Sequence, residues 1–200
     1  MTTVYFVRHA LPDFSCHDDR TRPLAPQGMA DRLLVNRLLK DVPVDAVLSS
    51  PFLRAADTVR PLAEERGLPL TLWEDFRERK VDGDWIEDFN AFARRQWDDF
   101  DYHLPGGESL RQVRQRNIAA LESVLTEYAG QTVVIGSHGT ALSTIVNHYV
   151  PSFGWKGFDS IRRLMPWVVR FCFEGNRCRE IRAWDVFHPE IVSFLYTEEA

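Results

Sequence analysis

Apolar residues follow two rhythms along this chain. Short continuous apolar runs alternate with longer stretches in which apolar positions recur three or four residues apart. The first run, Val4-Tyr5-Phe6-Val7, predicts a buried strand over about Thr2 to Val7. A polar loop from Leu11 to Pro23 follows. Pro26 then opens a helix whose apolar positions include Leu33, Leu34, Leu38 and Leu39. A second strand is predicted over Asp45 to Leu48. In Ser49-Ser50-Pro51, Ser50 suits a helix cap and Pro51 the first helical position. That helix carries Arg54, Thr58 and Leu62 and ends near Gly67. A short third strand is expected over Leu68 to Leu72.

The stretch from Glu74 to Pro105 is polar and aromatic. It predicts a short helix from Ile86 to about Phe100 and a lid insertion, over 74–105, that wraps the sheet. Gly106-Gly107-Glu108-Ser109 opens a long helix with Leu110, Val113, Ile118, Leu121 and Leu125 on its apolar face. Strand four is Thr132 to Ile135, and the helix from Thr140 to Tyr149 is halted by Pro151. Val168 to Phe173 and Cys178 to Ala183 read as a terminal hairpin around Gly175-Asn176. Beyond Trp184 the pattern assigns no firm element. Strands alternate with helices, so the fold class is α/β, with a largely parallel sheet covered on both faces. Neither repeat nor linker divides the chain, and residues 1–200 read as one domain.

At 200 residues the chain can bury a sizeable core. Its formal net charge of −5 disfavours general binding to nucleic acid or to a membrane surface. No apolar stretch is long enough to span a bilayer, and no secretory signal is visible, which makes the cytoplasm the expected location. Three cysteines, an odd number, argue against a disulfide framework. With a two-residue turn, Phe173 faces Cys178 and Cys172 faces Arg179, so the thiols of Cys172 and Cys178 lie on opposite faces; a three-residue turn would set them opposite each other. Cys16 reads as a plain loop cysteine.

The candidate chemistry sits at strand ends. The first strand runs into Arg8-His9, and the fourth runs into Gly136-Ser137-His138-Gly139. In α/β sheets ligands bind at the carboxyl ends of the strands. Transfer of a phosphoryl group onto histidine needs a neutral imidazole held in one tautomer. It also needs fixed positive donors on the transferring oxygens, for which the planar arginine fork is suited, and a general acid for the leaving alkoxide. His9 is the candidate nucleophile, with Arg8 beside it. Arg54 lies early in the second helix, near its positive end. His138 precedes another helix N-terminus. Glu78, after the third strand, is the candidate acid, although Arg77-Glu78-Arg79-Lys80 taken alone is a solvated charge run.

These segments, taken in order, resemble the histidine phosphatase superfamily, which includes cofactor-dependent phosphoglycerate mutases and many phosphomonoesterases. The matching stretches are Val7-Arg8-His9, Leu24-Ala25-Pro26-Gln27-Gly28, the run from Asp45 to Ala55, Phe76-Arg77-Glu78-Arg79, Pro105-Gly106-Gly107-Glu108-Ser109 and Val133 to Gly139. The resemblance implies a phosphoglycerate mutase-like three-layer α/β/α sandwich with a mostly parallel central sheet. It also implies that His9 becomes the phosphohistidine, that Arg8, Arg54 and His138 bind the phosphate, and that Glu78 protonates the leaving group and then activates water. No metal and no organic cofactor are implied. The expected activity is metal-independent hydrolysis of a small phosphorylated metabolite. The alternatives are a mutase, or a phospho-ligand binding protein without catalysis.

The chain departs from the family pattern in its first loop. Ala10-Leu11-Pro12-Asp13 stands where the family has Gly, an acidic or amide residue, and Ser or Thr; Ser15 replaces a common Asn. Gly83 lies one residue further from Glu78 than usual. Glu108 is a second candidate acid, though a first-turn residue complementing the helix dipole is the better reading. His17, His103, His148 and His188 lack metal-ligand spacing, and His17 and His103 fall in loops expected at the substrate mouth. Trp85, Phe89, Phe92, Trp97, Phe100 and Tyr102 read as the lid's own core, and Arg94-Arg95 as an exposed helix face. The terminal hairpin offers an edge that would suit a homodimer.

Overall fold

The computed structural model describes residues 1–83, 86 and 88–198. Seven strands form one sheet: β1 (Thr2–Arg8), β2 (Ala46–Ser49), β3 (Leu70–Leu72), β4 (Thr132–Ser137), β5 (Trp167–Glu174), β6 (Arg177–Asp185) and β7 (Val192–Thr197). Their order is β3-β2-β4-β1-β5-β6-β7. The half that carries both histidines is parallel: β3 with β2, β2 with β4, and β4 with β1. β5, β6 and β7 join antiparallel, so the sheet is mixed, with five strands pointing one way and β5 and β7 the other. β7 lies where the sequence pattern assigned nothing.

The helices are α1 (Pro26–Asp31), α2 (Leu33–Leu38), α3 (Leu53–Arg66), α4 (Phe89–Asp98), α5 (Leu110–Glu127), α6 (Gly139–Tyr149) and α7 (Trp155–Ile161). Strand side chains alternate between the two sheet faces. Tyr5 and Val7 of β1 pack with Val35, Val59 and Leu62 beneath α2 and α3. Val4 and Phe6 pack with Leu121, Val124, Leu142 and Ile145 of α5 and α6. The result is the expected three-layer α/β/α sandwich. Phe6 is fully buried and meets Phe76 and Phe171 edge-on, with ring centroids 5.7 and 5.6 Å apart.

Several local expectations change. The helix from Pro26 runs as two pieces joined at Arg32, where the Val35 N–H bonds to the Arg32 carbonyl in a tight i+3 turn (3.1 Å). α3 starts at Leu53, so Ser50 is not its cap and Pro51 is not helical. Phe52 is the cap residue, with no side-chain cap, and the Ser50 hydroxyl accepts the Phe52 N–H at 3.2 Å. α4 begins at Phe89, where Asp88 caps it by accepting from Ala91 N–H. Ser109 caps α5 in a reciprocal box with Gln112. Glu108 therefore precedes the helix rather than sitting in its first turn. The hairpin has the two-residue turn Gly175-Asn176, and Gly175 supplies the positive φ of 57° that this turn needs. Phe173 faces Cys178 as expected, but a bulge shifts Cys172 to face Glu180 instead of Arg179. All three cysteines are free.

The aromatics of the 74–105 stretch pack on one another and on α7. Trp97 stacks on Phe158 at 5.5 Å and meets Phe100 at 5.5 Å. Phe92 meets Tyr102 at 5.9 Å. Trp85 lies outside the described residues. Arg94 and Arg95 are exposed, as their pattern predicts.

Candidate active site

The carboxyl ends of three adjacent strands bring the predicted residues together. Arg8 pairs in register with Ser137, and Ser49 with Gly136. The His9 N–H continues the ladder to the Ser137 carbonyl at 3.0 Å, and the Ser50 N–H does so to the Gly136 carbonyl at 2.9 Å. β4 thus extends past Ile135 through Ser137 and delivers His138 beside His9. The two rings lie 5.3 Å apart at an interplanar angle of 63°. The His138 Nε2 and the Ser50 hydroxyl are 2.8 Å apart, and Phe52 covers the His138 ring at 5.3 Å.

His9 is 6% exposed. Its Nδ1 lies 2.8 Å from the carbonyl oxygen of Ala10. A carbonyl only accepts, so Nδ1 carries the proton and Nε2 keeps its lone pair. Burial, and then the charges of Arg54 and Arg8, hold the His9 pKa well below the usual imidazole value. His138 is pushed down by burial, Arg54 and the neighbouring His9. Ala10, in place of the family glycine, is fully buried. No described non-glycine residue has positive φ, so Ala10 fits without backbone strain. Its N–H bonds to the Thr58 hydroxyl at 3.0 Å, and Thr58 donates to the Arg54 carbonyl at 2.7 Å.

Arg8 is anchored at one end only. Nη1 donates to the carbonyls of Ile161 (2.7 Å), Arg162 (3.1 Å) and Leu164 (3.2 Å). Its Nε is buried without a hydrogen-bond partner among the described residues, as are the Ser137 hydroxyl and the His138 Nδ1. Burial lowers the Arg8 pKa to about 10, with Glu78 opposing and Arg162 and Arg54 assisting, so the group stays cationic at neutral pH. Arg54 is in the first turn of α3 and is 3% exposed. Its Nη2 meets the Asp19 carboxylate at 2.9 Å, and Nη1 donates to the Asp19 carbonyl. Arg22 reaches the same carboxylate at 3.2 Å. Nothing in the pattern of the 11–23 loop points to Asp19, because its partner Arg54 is more than thirty residues away, and Arg22 joins the group only through Asp19.

Glu78 joins this group through its charge, which acts on both Arg8 and Arg54. Its carboxylate accepts from the N–H groups of Thr140 and Ala141, each at 3.0 Å, at the N-terminus of α6. It also accepts from the Arg79 N–H at 2.7 Å. Glu108 is occupied elsewhere: Arg116, Arg77 and the Lys80 N–H take its two oxygens. His103, His148 and His188 are exposed, and no cluster of three or more His, Cys, Asp or Glu suited to a metal occurs among the described residues.

The family model of the histidine phosphatase superfamily, branch 1, matches residues 4–185. A Bacillus subtilis protein named "uncharacterized phosphatase PhoE" is 28% identical over 150 residues, covering 73% of this chain and 76% of that protein. A "probable phosphoglycerate mutase GpmB" of Salmonella typhi is 26% identical over 175 residues, covering 78% of each. The solved structure of Bacillus stearothermophilus YhfR superposes with a TM-score of 0.73 at 24% identity, over 90% of this chain and 95% of that one.

Proposed function

The chain belongs to the histidine phosphatase superfamily, and on that premise we propose that it hydrolyses small phosphomonoesters through a covalent phosphohistidine on His9. The observation that carries this reading is the His9–Ala10 contact, which leaves a neutral, oriented Nε2 beside two arginines and a second histidine. Nε2 attacks phosphorus in line. Arg8, Arg54 and His138 hold the equatorial oxygens, where charge develops in the transition state. In the protonation state that reacts, Glu78 carries a proton and gives it to the departing alkoxide. The resulting Glu78 carboxylate then takes a proton from water, which attacks the phosphohistidine and releases inorganic phosphate. Charge stabilisation comes from side chains in this scheme, so the reaction is metal-independent.

Leu11 and Pro12 offer no side-chain donors for a second phosphate. That favours hydrolysis over mutase transfer, and the unstrained Ala10 favours catalysis over an inactive scaffold. The test is phosphate release from a panel of phosphomonoesters in EDTA, with His9→Ala alongside and acid-quenched trapping of the labelled enzyme. Release that is lost in the variant, with an acid-labile label on the native chain, supports the proposal. Retained activity in His9→Ala would sink it, and isomerised phosphoester without free phosphate would redirect it to a mutase.

A further inference from the structure

We infer that Arg116 is a positioning residue for the leaving-group step, fixing the backbone beneath Glu78 so that its carboxyl meets the departing oxygen. This rests on the reading of Glu78 as the general acid. Residues 77–83 form neither helix nor strand, so the regular backbone does not hold Glu78 in place. Arg116, on α5, supplies what is missing. Its Nη1 donates to the carbonyls of Asp75 and Arg77, both at 2.8 Å, and its Nη2 donates to the Glu78 carbonyl at 3.1 Å. The remaining donors bind Glu108 in fork geometry, Nε to Oε1 at 2.8 Å and Nη2 to Oε2 at 3.0 Å.

A guanidinium has five N–H donors, and all five are used here. No other side chain provides that number in one plane.

Glu108 completes the clamp. Besides Arg116 it receives the Lys80 N–H at 2.9 Å and Arg77 at 3.2 Å, while its own N–H donates to the Lys80 carbonyl at 2.8 Å. Burial pushes its pKa up, but the hydrogen bonds from Arg116 and Lys80 and the nearby arginine charges outweigh it and hold the carboxyl below its ordinary value. Next to it, a Cβ on Gly107 would lie 2.0 Å from the Val81 carbonyl, so the two backbones are in direct contact. The segment is thus tied from residue 75 to 81 to α5 and to Gly107 and Glu108 just before it. The carboxyl tip of Glu78 is tied separately to α6, the helix that starts after His138. The backbone clamp and the tip contacts together give one position for the carboxyl relative to His138.

Leaving-group dependence tests this. A nitrophenolate departs without a proton, whereas an alkoxide needs one. Single-turnover phosphorylation of the enzyme by nitrophenyl phosphate and by an alkyl phosphate should be compared for the native chain, Glu78→Gln, Arg116→Met and Arg116→Lys. The lysine variant keeps the charge opposite Glu108, and with it the fold, while offering at most three donors. The expected result for both Arg116 variants is an alkyl rate reduced by about 10- to 100-fold, with the aryl rate within about threefold of native, since a displacement near 1 Å costs roughly a hundredfold. An equal fall in both rates, or no fall in either, would overturn the inference while the Glu78→Gln split persists. Absence of the split in Glu78→Gln itself would overturn the reading of Glu78, and this inference with it.

Discussion

The Asp19 carboxylate lies 2.9 Å from Nη2 of Arg54, a buried arginine that the proposed mechanism assigns to phosphate. That guanidinium bonds to an internal anion. The proposed mechanism therefore sets Asp19 and a phosphoryl group in competition for one fork. A charge-assisted bond of this kind is worth about 1.5–3 kcal/mol.

Asp19→Asn is accordingly expected to tighten competitive inhibition by inorganic phosphate about tenfold, the equivalent of 1.4 kcal/mol. Weaker inhibition would mean that Asp19 orients Arg54 for phosphate rather than competing with it.

Arg54 is the largest cause after burial that holds His9 neutral. Arg54→Met should raise the His9 pKa, read from its ring resonances in an NMR titration. It should also cost about 10²–10³ in kcat/KM through the lost donor. An unmoved titration would show that burial alone keeps the ring neutral.

Stability should depend on pH in a defined window. His9 and His138 are both held below their unfolded value of about 6.5. Below that pH the unfolded chain takes up protons that the folded chain refuses. Stability therefore falls as the pH drops below about 6.5, by about 1.4 kcal/mol per pH unit for each histidine until its folded pKa is reached. Urea midpoints at pH 7.5, 6.5 and 5.5 should show this slope, and His9→Gln should remove one histidine's share of it. Identical slopes in the two proteins would contradict the assignment.

Gly139 leaves room for Arg8. A Cβ there would lie 3.0 Å from the Arg8 Nε and 3.1 Å from its Cζ and Nη2. The guanidinium cannot retreat, because three carbonyls pin Nη1. Gly139→Ala should raise KM by about 5- to 30-fold, the range set by 1–2 kcal/mol, with the melting temperature little changed. A native KM would show that Arg8 does not contact the phosphoryl group.

Much of this architecture was readable in advance wherever the cause is local. Val4, Tyr5, Phe6 and Val7 announce a buried strand, and Gly67 closes α3 with a φ of 65° as a helix stop should. Arg8-His9 and Ser137-His138 are each contiguous in the chain, so their places at strand carboxyl ends follow from strand placement, whereas their adjacency needs the β1–β4 pairing. Local cues misled at Ser50, which resembles a helix cap. Its hydroxyl instead faces His138, 88 residues away in sequence. They were silent on β7, whose residues are mostly exposed or half-buried and lack a clear alternation.

Residue pattern alone was enough for β1 to β6, for α3, α5 and α6, and for the residues that stand at the strand ends, but it gave no sign of α7 or β7. Alternation and helical spacing are properties of a few neighbouring residues, and burial acts on them directly. Closure of the whole fold set β4 between β1 and β2, brought Asp19 to Arg54, and placed Glu78 between Arg116 and α6. Each of these is a pairing across tens of residues. Parallel pairing and buried-charge pairing depend on how separate layers close over one another, and no short window of sequence contains that information.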